Sequence, residues 1–164
     1  MTARTLRLLH ITDTHLFEDP TSELYGVRTA DSLSATLVAA LADADGPIEA
    51  ILATGDIAED GRRGTYRRFR GLFAPLRVAV LCLPGNHEDP EVMAEELSVP
   101  PMQYCGRLRL PGWRIILLDT HVAGQPGGRL GAAELARLEG ELCDAAGEHV
   151  LVCLHHQPIP MGSP

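Results

Sequence analysis

The chain has 164 residues, 45% hydrophobic and 22% charged, a balance that suits one globular domain able to bury a core and argues against disorder. Its 22 acidic residues outnumber 14 basic ones, a formal net charge of −8, which excludes a general nucleic-acid or anionic-membrane binder because such partners need a Lys/Arg surplus to neutralise phosphate. No apolar run approaches the roughly 20 residues of a membrane span, and no signal-peptide pattern precedes the first strand, so the sequence reads as cytoplasmic.

Residues 6–12 (L-R-L-L-H-I-T) form the first strand candidate, with His10 expected in the core and Asp13-Thr14-His15 following at once. Residues 17–28 are rich in turn formers and read as a loop. A helix is expected over 29–45, where Leu33, Leu37, Ala40 and Leu41 recur at helical spacing before Gly46-Pro47 stops it. The second strand, 48–54, ends in Gly55-Asp56. A second helix over 65–74 carries Tyr66, Phe69 and Phe73 on one face, with Arg62, Arg63, Arg67, Arg68 and Arg70 around the other as a solvated surface. The third strand, 78–83 (V-A-V-L-C-L), breaks at Pro84-Gly85 and delivers Asn86, His87 and Glu88 in succession. Asp89 and Pro90 suit the N-cap and first residue of a short helix through Leu97.

A fourth strand is expected over 113–118, followed by Asp119-Thr120-His121 and a glycine-rich turn over 124–128. That turn lacks the spacing of a phosphate-binding loop. The third long helix, 131–146, shows Leu135, Leu138 and Leu142 as its buried stripe. The fifth strand, 149–154, leads into His155-His156. Cys82 and Cys153 lie inside apolar strands, Cys105 and Cys143 outside them, and no C-x-x-C pair occurs; small reduced core thiols agree with a reducing compartment. Strands alternating with helices imply an α/β fold with a mainly parallel sheet, its runs apolar throughout because both faces are covered.

A parallel sheet brings its strand ends to one edge, where Asp13, His15, Asp56, Asn86, His87 and His155 would meet. Asp13 and His15, two residues apart on an extended chain, can address one ion. Each group alone has an ordinary structural explanation, an Asx-turn, a cap or a core histidine; their shared position at the strand ends favours a site. Oxygen and imidazole ligands without thiolate suit Mn²⁺, Fe or Zn²⁺.

D-T-H, G-D, G-N-H-E and H-H in this order resemble the calcineurin-like metallophosphoesterases. I-T-D-T-H-L-F, Y-G-V, A-T-G-D-I-A, L-P-G-N-H-E and L-L-D-T are similar to the class III cyclic nucleotide phosphodiesterases within them. The resemblance covers essentially the whole chain. It implies an αββα sandwich, of which this sequence holds mainly the first sheet, and a centre of two metal ions, Fe or Mn, with Zn also compatible. It assigns Asp13 and His15 to one metal, Asp56 to both as a bridge, and Asn86 and His155 to the second. His87 would be the imidazole beside the phosphate, and His155 is preferred to His156 because it directly follows the strand. The implied reaction is opening of 3′,5′-cyclic AMP to 5′-AMP. Two cations about 3.5–4 Å apart would screen the diester and lower the pKa of a shared water, with His87 assisting the 3′-oxygen's departure. Asp56 and His87 are thus the expected catalytic pair.

The resemblance also implies a closing G-H-x-H with one further histidine for each metal. No His follows His156, so residues 1–164 read as a single domain lacking its C-terminal part. The expected partner is a small cyclic nucleotide, with no nucleic acid and no membrane; a homo-oligomer stays open. Rival readings are a glycerophosphodiesterase, a lipid-precursor pyrophosphatase, or an inactive scaffold form of the same fold. Asp119 and His121 repeat the D-x-H pattern but the resemblance places no metal there. Glu88 reads as a supporting group or cap.

Overall fold

Residues along β4 (Ala50–Thr54) explain the layers, because successive side chains point to opposite faces and every one of them is buried. Ile51 and Ala53 face a cluster containing Leu33 and Leu37, Tyr66, Phe69 and Phe73, Met93 and Leu97. Ala50 and Leu52 face a second cluster with Ile115, Leu117 and Cys153. One strand therefore separates a helix-covered side from a sheet-covered side. The computed structural model describes residues 5–159.

In chain order the elements are β1 (Leu8–Ile11), β2 (Glu23–Leu24), β3 (Val27–Arg28), α1 (Thr29–Asp43), β4, α2 (Arg63–Phe73), β5 (Ala79–Leu83), α3 (Pro90–Leu97), β6 (Met102–Tyr104), β7 (Gly106–Leu110), β8 (Trp113–Leu117), α4 (Ala132–Asp144) and β9 (His149–Cys153). The first sheet has the order β1-β4-β5-β6, all parallel. The second has the order β7-β8-β9, with β7 antiparallel and β9 parallel to β8. Helices α1, α2 and α3 supply the apolar side chains on the first sheet's outer face. The inner faces of the two sheets meet at Leu52, Leu81, Leu83, Ile115 and Leu117. On the outer face of the second sheet, Arg114 of β8 reaches α4. The α/β class expected from the sequence is thus present, with its helices and sheets in the order α, β, β, α.

The expected strands and helices occur at their expected places, and Asp89 caps α3 by accepting from the amides of Glu91 and Val92, both at 3.1 Å. Five expectations are corrected. The loop after Phe17 contains a two-stranded hairpin, β2–β3. Two further strands, β6 and β7, precede β8. The arginines of α2 are not merely solvated: Arg63 and Arg67 donate to the Glu96 carboxylate at 2.7 and 3.0 Å, and Arg70 donates to its carbonyl at 3.0 Å. Most instructive is α4, where Leu135 and Leu142 are 50% and 48% exposed. Its inward face is instead ionic. Arg114, 1% exposed, donates to the Glu148 and Glu141 carboxylates and to the carbonyls of Glu141 and Asp144. His10, expected in the core, is exposed on β1 and shares a 2.7 Å hydrogen bond with the Thr54 hydroxyl.

Candidate metal centre

Parallel pairing of β1, β4 and β5 carries Asp13, Asp56 and the Asn86-His87 pair to one edge of the first sheet. Beyond the strand ends the chains stay in register. The amides of Asp13, His15 and Leu16 donate to the carbonyls of Gly55, Asp56 and Ile57 at 3.0, 2.9 and 2.8 Å, and Glu59 N returns a bond to Leu16 O at 2.9 Å. The fully buried Leu16 side chain anchors this extension in the core. The D-T-H segment is therefore held against the G-D segment by a short continuation of the sheet.

Glycine is required where the β4 and β5 ends meet. A Cβ on Gly85 would lie 2.1 Å from Asp56 Oδ1 and 2.7 Å from Asp56 N, and one on Gly55 would lie 2.5 Å from His155 Nδ1. Neither position has room for a side chain, which is the physical reason that Asp and Asn each follow a Gly here. Three of the polar residues, Asp13, His15 and Asp56, adopt left-handed backbone with φ of 55°, 42° and 49°. For non-glycine residues such angles are uncommon and mark a functional constraint.

Glu88 holds the turn together from beneath. Its buried carboxylate accepts from Gly85 N at 2.6 Å, Asp56 N at 2.9 Å and Ala58 N at 3.0 Å. Burial pushes its carboxyl above the usual carboxylate range, against the pull of the three amide donors. Glu88 is thus a backbone clamp, as expected of a supporting group.

Asp56 is the centre of the cluster and only 4% exposed. Its Oδ2 lies 3.9 Å from His15 Nε2 and 3.6 Å from His155 Nε2, while His15 Nε2 is 3.8 Å from Asp13 Oδ1. His87 N donates to Asp56 Oδ1 at 3.1 Å, and the His87 and His15 rings meet edge to face at 5.0 Å. Ligand atoms converge in two groups that share Asp56, one with His15 and His87, the other with Asp13 and His155. The sequence-based pairing put Asp13 with His15, and those two side chains are also neighbours. Asn86, half-buried, has no hydrogen-bond partner among the described residues.

The two adjacent histidines have different surroundings. His155 Nδ1 bonds the Thr54 carbonyl at 2.8 Å; a carbonyl only accepts, so Nδ1 carries the proton and Nε2 offers its lone pair toward Asp56. His156 Nδ1 instead pairs with the Thr120 hydroxyl at 2.8 Å, and burial holds its imidazole below the ordinary histidine range. Asp119 and His121 form no ligand cluster among the described residues; Asp119 Oδ1 accepts from His121 N at 2.7 Å as an Asx-turn. Sequence reasoning missed Glu59. Its Oε2 lies 2.8 Å from His15 Nδ1 and 3.2 Å from His87 Nδ1. The spacing signal was available, since Glu59 stands three residues beyond Asp56, but nothing in the sequence distinguishes it from the neighbouring Asp60.

The donor set fits two cations. Asp56 is a buried carboxylate, and among the described residues no arginine pairs with it, with Asp13 or with Glu59. An unbalanced buried anion is costly unless paired with a cation or a metal. Carboxylate oxygens and imidazole nitrogens without sulfur are the ligands of hard to borderline metals.

A mixed α/β sandwich with oxygen and imidazole donors at its parallel strand ends defines the class. Residues 6–164 match the model of the calcineurin-like phosphoesterase family, and the chain belongs to that family. It is 37% identical over 164 residues to the 3′,5′-cyclic adenosine monophosphate phosphodiesterase CpdA of Vibrio vulnificus, covering 99% of this chain and 60% of that protein. With the CpdA of Escherichia coli K12 it shares 38% over 158 residues, 96% of this chain and 57% of the relative. The glycerophosphodiester phosphodiesterase GpdQ of Enterobacter lignolyticus is 31% identical over 163 residues, 95% and 58% of the two chains. The chain thus spans somewhat under two thirds of the length of these relatives. No described helix is long and apolar enough to cross a membrane.

Proposed function

We propose that this chain supplies the metal centre and the phosphate-facing imidazole of a phosphodiesterase that opens 3′,5′-cyclic AMP to 5′-AMP. The observation that carries the reading is the buried Asp56 carboxylate, set between His15, His155 and His87 at the meeting point of four strand ends. Likeness to the two CpdA proteins supports the cyclic nucleotide as substrate, and the acidic chain, short of cations, suits a small substrate better than a polynucleotide.

In this reading Asp13, His15, Asp56, Asn86 and His155 hold two ions, with Fe or Mn preferred and Zn compatible. Bound there, the ions would screen the phosphoryl charge and lower the pKa of water. Asp56 fixes the distance between the two halves of the site. Asn86 offers an uncharged amide oxygen, which adds a ligand without adding to the negative charge around Asp56. His87, 36% exposed at the rim, faces outward enough to meet a phosphoryl group. There it steadies the departing 3′-oxygen and delivers its proton. Water adds to phosphorus, the bond from phosphorus to the 3′-oxygen breaks, and the product is a 5′-monophosphate.

The test is a paired measurement on the Mn²⁺-loaded protein, with cyclic AMP and a glycerophosphodiester as competing substrates. Turnover of cyclic AMP that falls by orders of magnitude in Asp56→Asn is the expected result. A metal-replete Asp56→Asn with full turnover would overturn the assignment. Preference for the glycerophosphodiester would move the substrate to the GpdQ side, and failure to take up Mn²⁺ in calorimetry would favour a scaffold.

A further inference from the structure

His156 stands next to a proposed ligand in the chain, yet its ring is enclosed by a loop. Residues 118–131 join β8 to α4 without helix or strand, and 123–129 are exposed. Three points of this loop converge on the one imidazole. The buried Thr120 hydroxyl pairs with Nδ1 at 2.8 Å. The Pro126 carbonyl faces the ring. Gly128 lies so close that a Cβ there would stand 2.2 Å from Nδ1 and 2.6 Å from Thr120 O. Thr120 O also closes the loop on itself by accepting from Arg129 N at 2.9 Å. We propose that His156 is a positioning residue that seats the 118–131 loop at the rim of the metal centre, and that the seated loop holds the nucleoside half of the substrate.

The place of the ring makes this more than a packing contact. The His155 and His156 rings stand perpendicular, at 87° with centroids 4.9 Å apart, so one turn serves both the centre and the loop. Asp56 and His121 both act electrostatically on the His156 ring, which sets the root of the loop beside the proposed bridging carboxylate. His155 is fixed separately by the Thr54 carbonyl, so loosening His156 leaves that ligand in place. Nε2 of His156 is buried without a hydrogen-bond partner, and Thr120 is the completed polar contact of the ring. Losing it strands a second buried nitrogen, which is costly. The phosphoryl end of a diester belongs to the metals, so the rest of the substrate lies against the rim. The loop carries Gln125 and Arg129, exposed side chains that no hydrogen bond or ion pair engages among the described residues. An amide and a guanidinium suit the ring nitrogens and the face of a purine. Seating the loop in advance lowers the ordering cost of binding and leaves the chemical step alone.

The nucleoside role rests on the phosphodiesterase reading; the seat does not. Amide hydrogen exchange of the wild-type chain should show the Arg129 amide protected by Thr120 O, against fast exchange at neighbouring Gly127 and Gly128. An unprotected Arg129 amide would overturn the seat, and this result needs no variant to fold. Thr120→Val keeps the shape and removes the hydroxyl; it should speed exchange at Arg129, and Thr120→Ser should restore protection. In the Mn²⁺-loaded protein, Thr120→Val should raise KM for cyclic AMP about 2- to 10-fold, the worth of one hydrogen bond, with kcat unchanged. Bis-p-nitrophenyl phosphate, a diester without a nucleoside, should be hydrolysed as by wild type. His156→Asn, whose amide takes the place of Nδ1, should stay closer to wild type than His156→Phe. Wild-type exchange in a folded Thr120→Val would overturn the seat, and equal losses with both diesters would overturn the nucleoside role. Wild type that turns over neither diester would defeat the phosphodiesterase reading and the nucleoside role with it, while the exchange result still decides the seat.

Discussion

The two sheets are covered by helices in opposite ways. On the first, α2 presents Tyr66, Phe69 and Phe73 to the core, each fully buried, and sends its arginines sideways to Glu96 on α3. On the second, α4 turns the Glu141 carboxylate and two backbone carbonyls inward onto Arg114 and leaves Leu135 and Leu142 half-exposed. Apolar burial is non-directional and tolerates small shifts, whereas the guanidinium of Arg114 fixes α4 by several hydrogen bonds of set direction. The site lies where these two halves meet: most of its polar groups come from the first sheet, and His155 comes from the second. Any displacement of the ionic half therefore moves one proposed ligand relative to the others.

The comparison can be broken from either side. Phe69→Ala empties a buried aromatic site and should cost about 3–5 kcal/mol, read by denaturant unfolding. Arg114→Met should cost a similar ~3–5 kcal/mol, because it leaves Glu141 and two helix carbonyls without their buried donor. If Arg114→Met were neutral, α4 would have to be held by something other than its ionic face. Gly85→Ala forces a methyl against Asp56 and should lose about 1–3 kcal/mol, with the larger effect on metal uptake.

Glu96→Gln is a smaller and more diagnostic change, about 1–3 kcal/mol at neutral pH. Hydrogen bonds from Arg67 and then Arg63 hold the Glu96 carboxyl below the usual range. A depressed carboxyl pKa contributes stability above its unfolded value, and that contribution disappears as pH falls through the folded one. Thermal melts of wild type and Glu96→Gln should therefore differ at neutral pH and converge on acidification below the ordinary carboxylate range. The smallest effect belongs to the outward leucines: Leu135→Gln and Leu142→Gln should stay within about 0.5 kcal/mol of wild type. A loss as large as that of Phe69→Ala would show that the leucine face is covered in solution.

Much of this architecture was legible because the first sheet obeys simple rules. Fully buried parallel strands read as unbroken apolar runs, and those at 48–54 and 78–83 could be placed with the polar groups that follow them. The Asp89-Pro90 start of α3 was equally plain. The strands β6 and β7 were not. Met102–Tyr104 has three residues and a central glutamine, too short for any period to emerge. G-R-L-R-L at β7 does alternate, with Leu108 and Leu110 turned to the core and the arginines away from it, and period two was the signal to read. The α4 stripe misled because three leucines at helical spacing ordinarily mark a buried face. What reverses it is Arg114, a charged residue inside an apolar strand whose burial obliges its partners to face inward. The polar set at the strand ends was readable from motif order; Glu59 was not, since only three-dimensional placement reveals two rings around one oxygen.

The left-handed backbone at Asp13, His15 and Asp56 has a thermodynamic consequence. Each such residue costs on the order of 1 kcal/mol in the native state. That cost is met during folding, by Leu16 in the core and by the amides clamped on Glu88, and it is met whether or not an ion arrives. Capturing a cation then requires little further loss of backbone entropy. The affinity of the centre is left to depend on ligand chemistry and on stripping water from the ion.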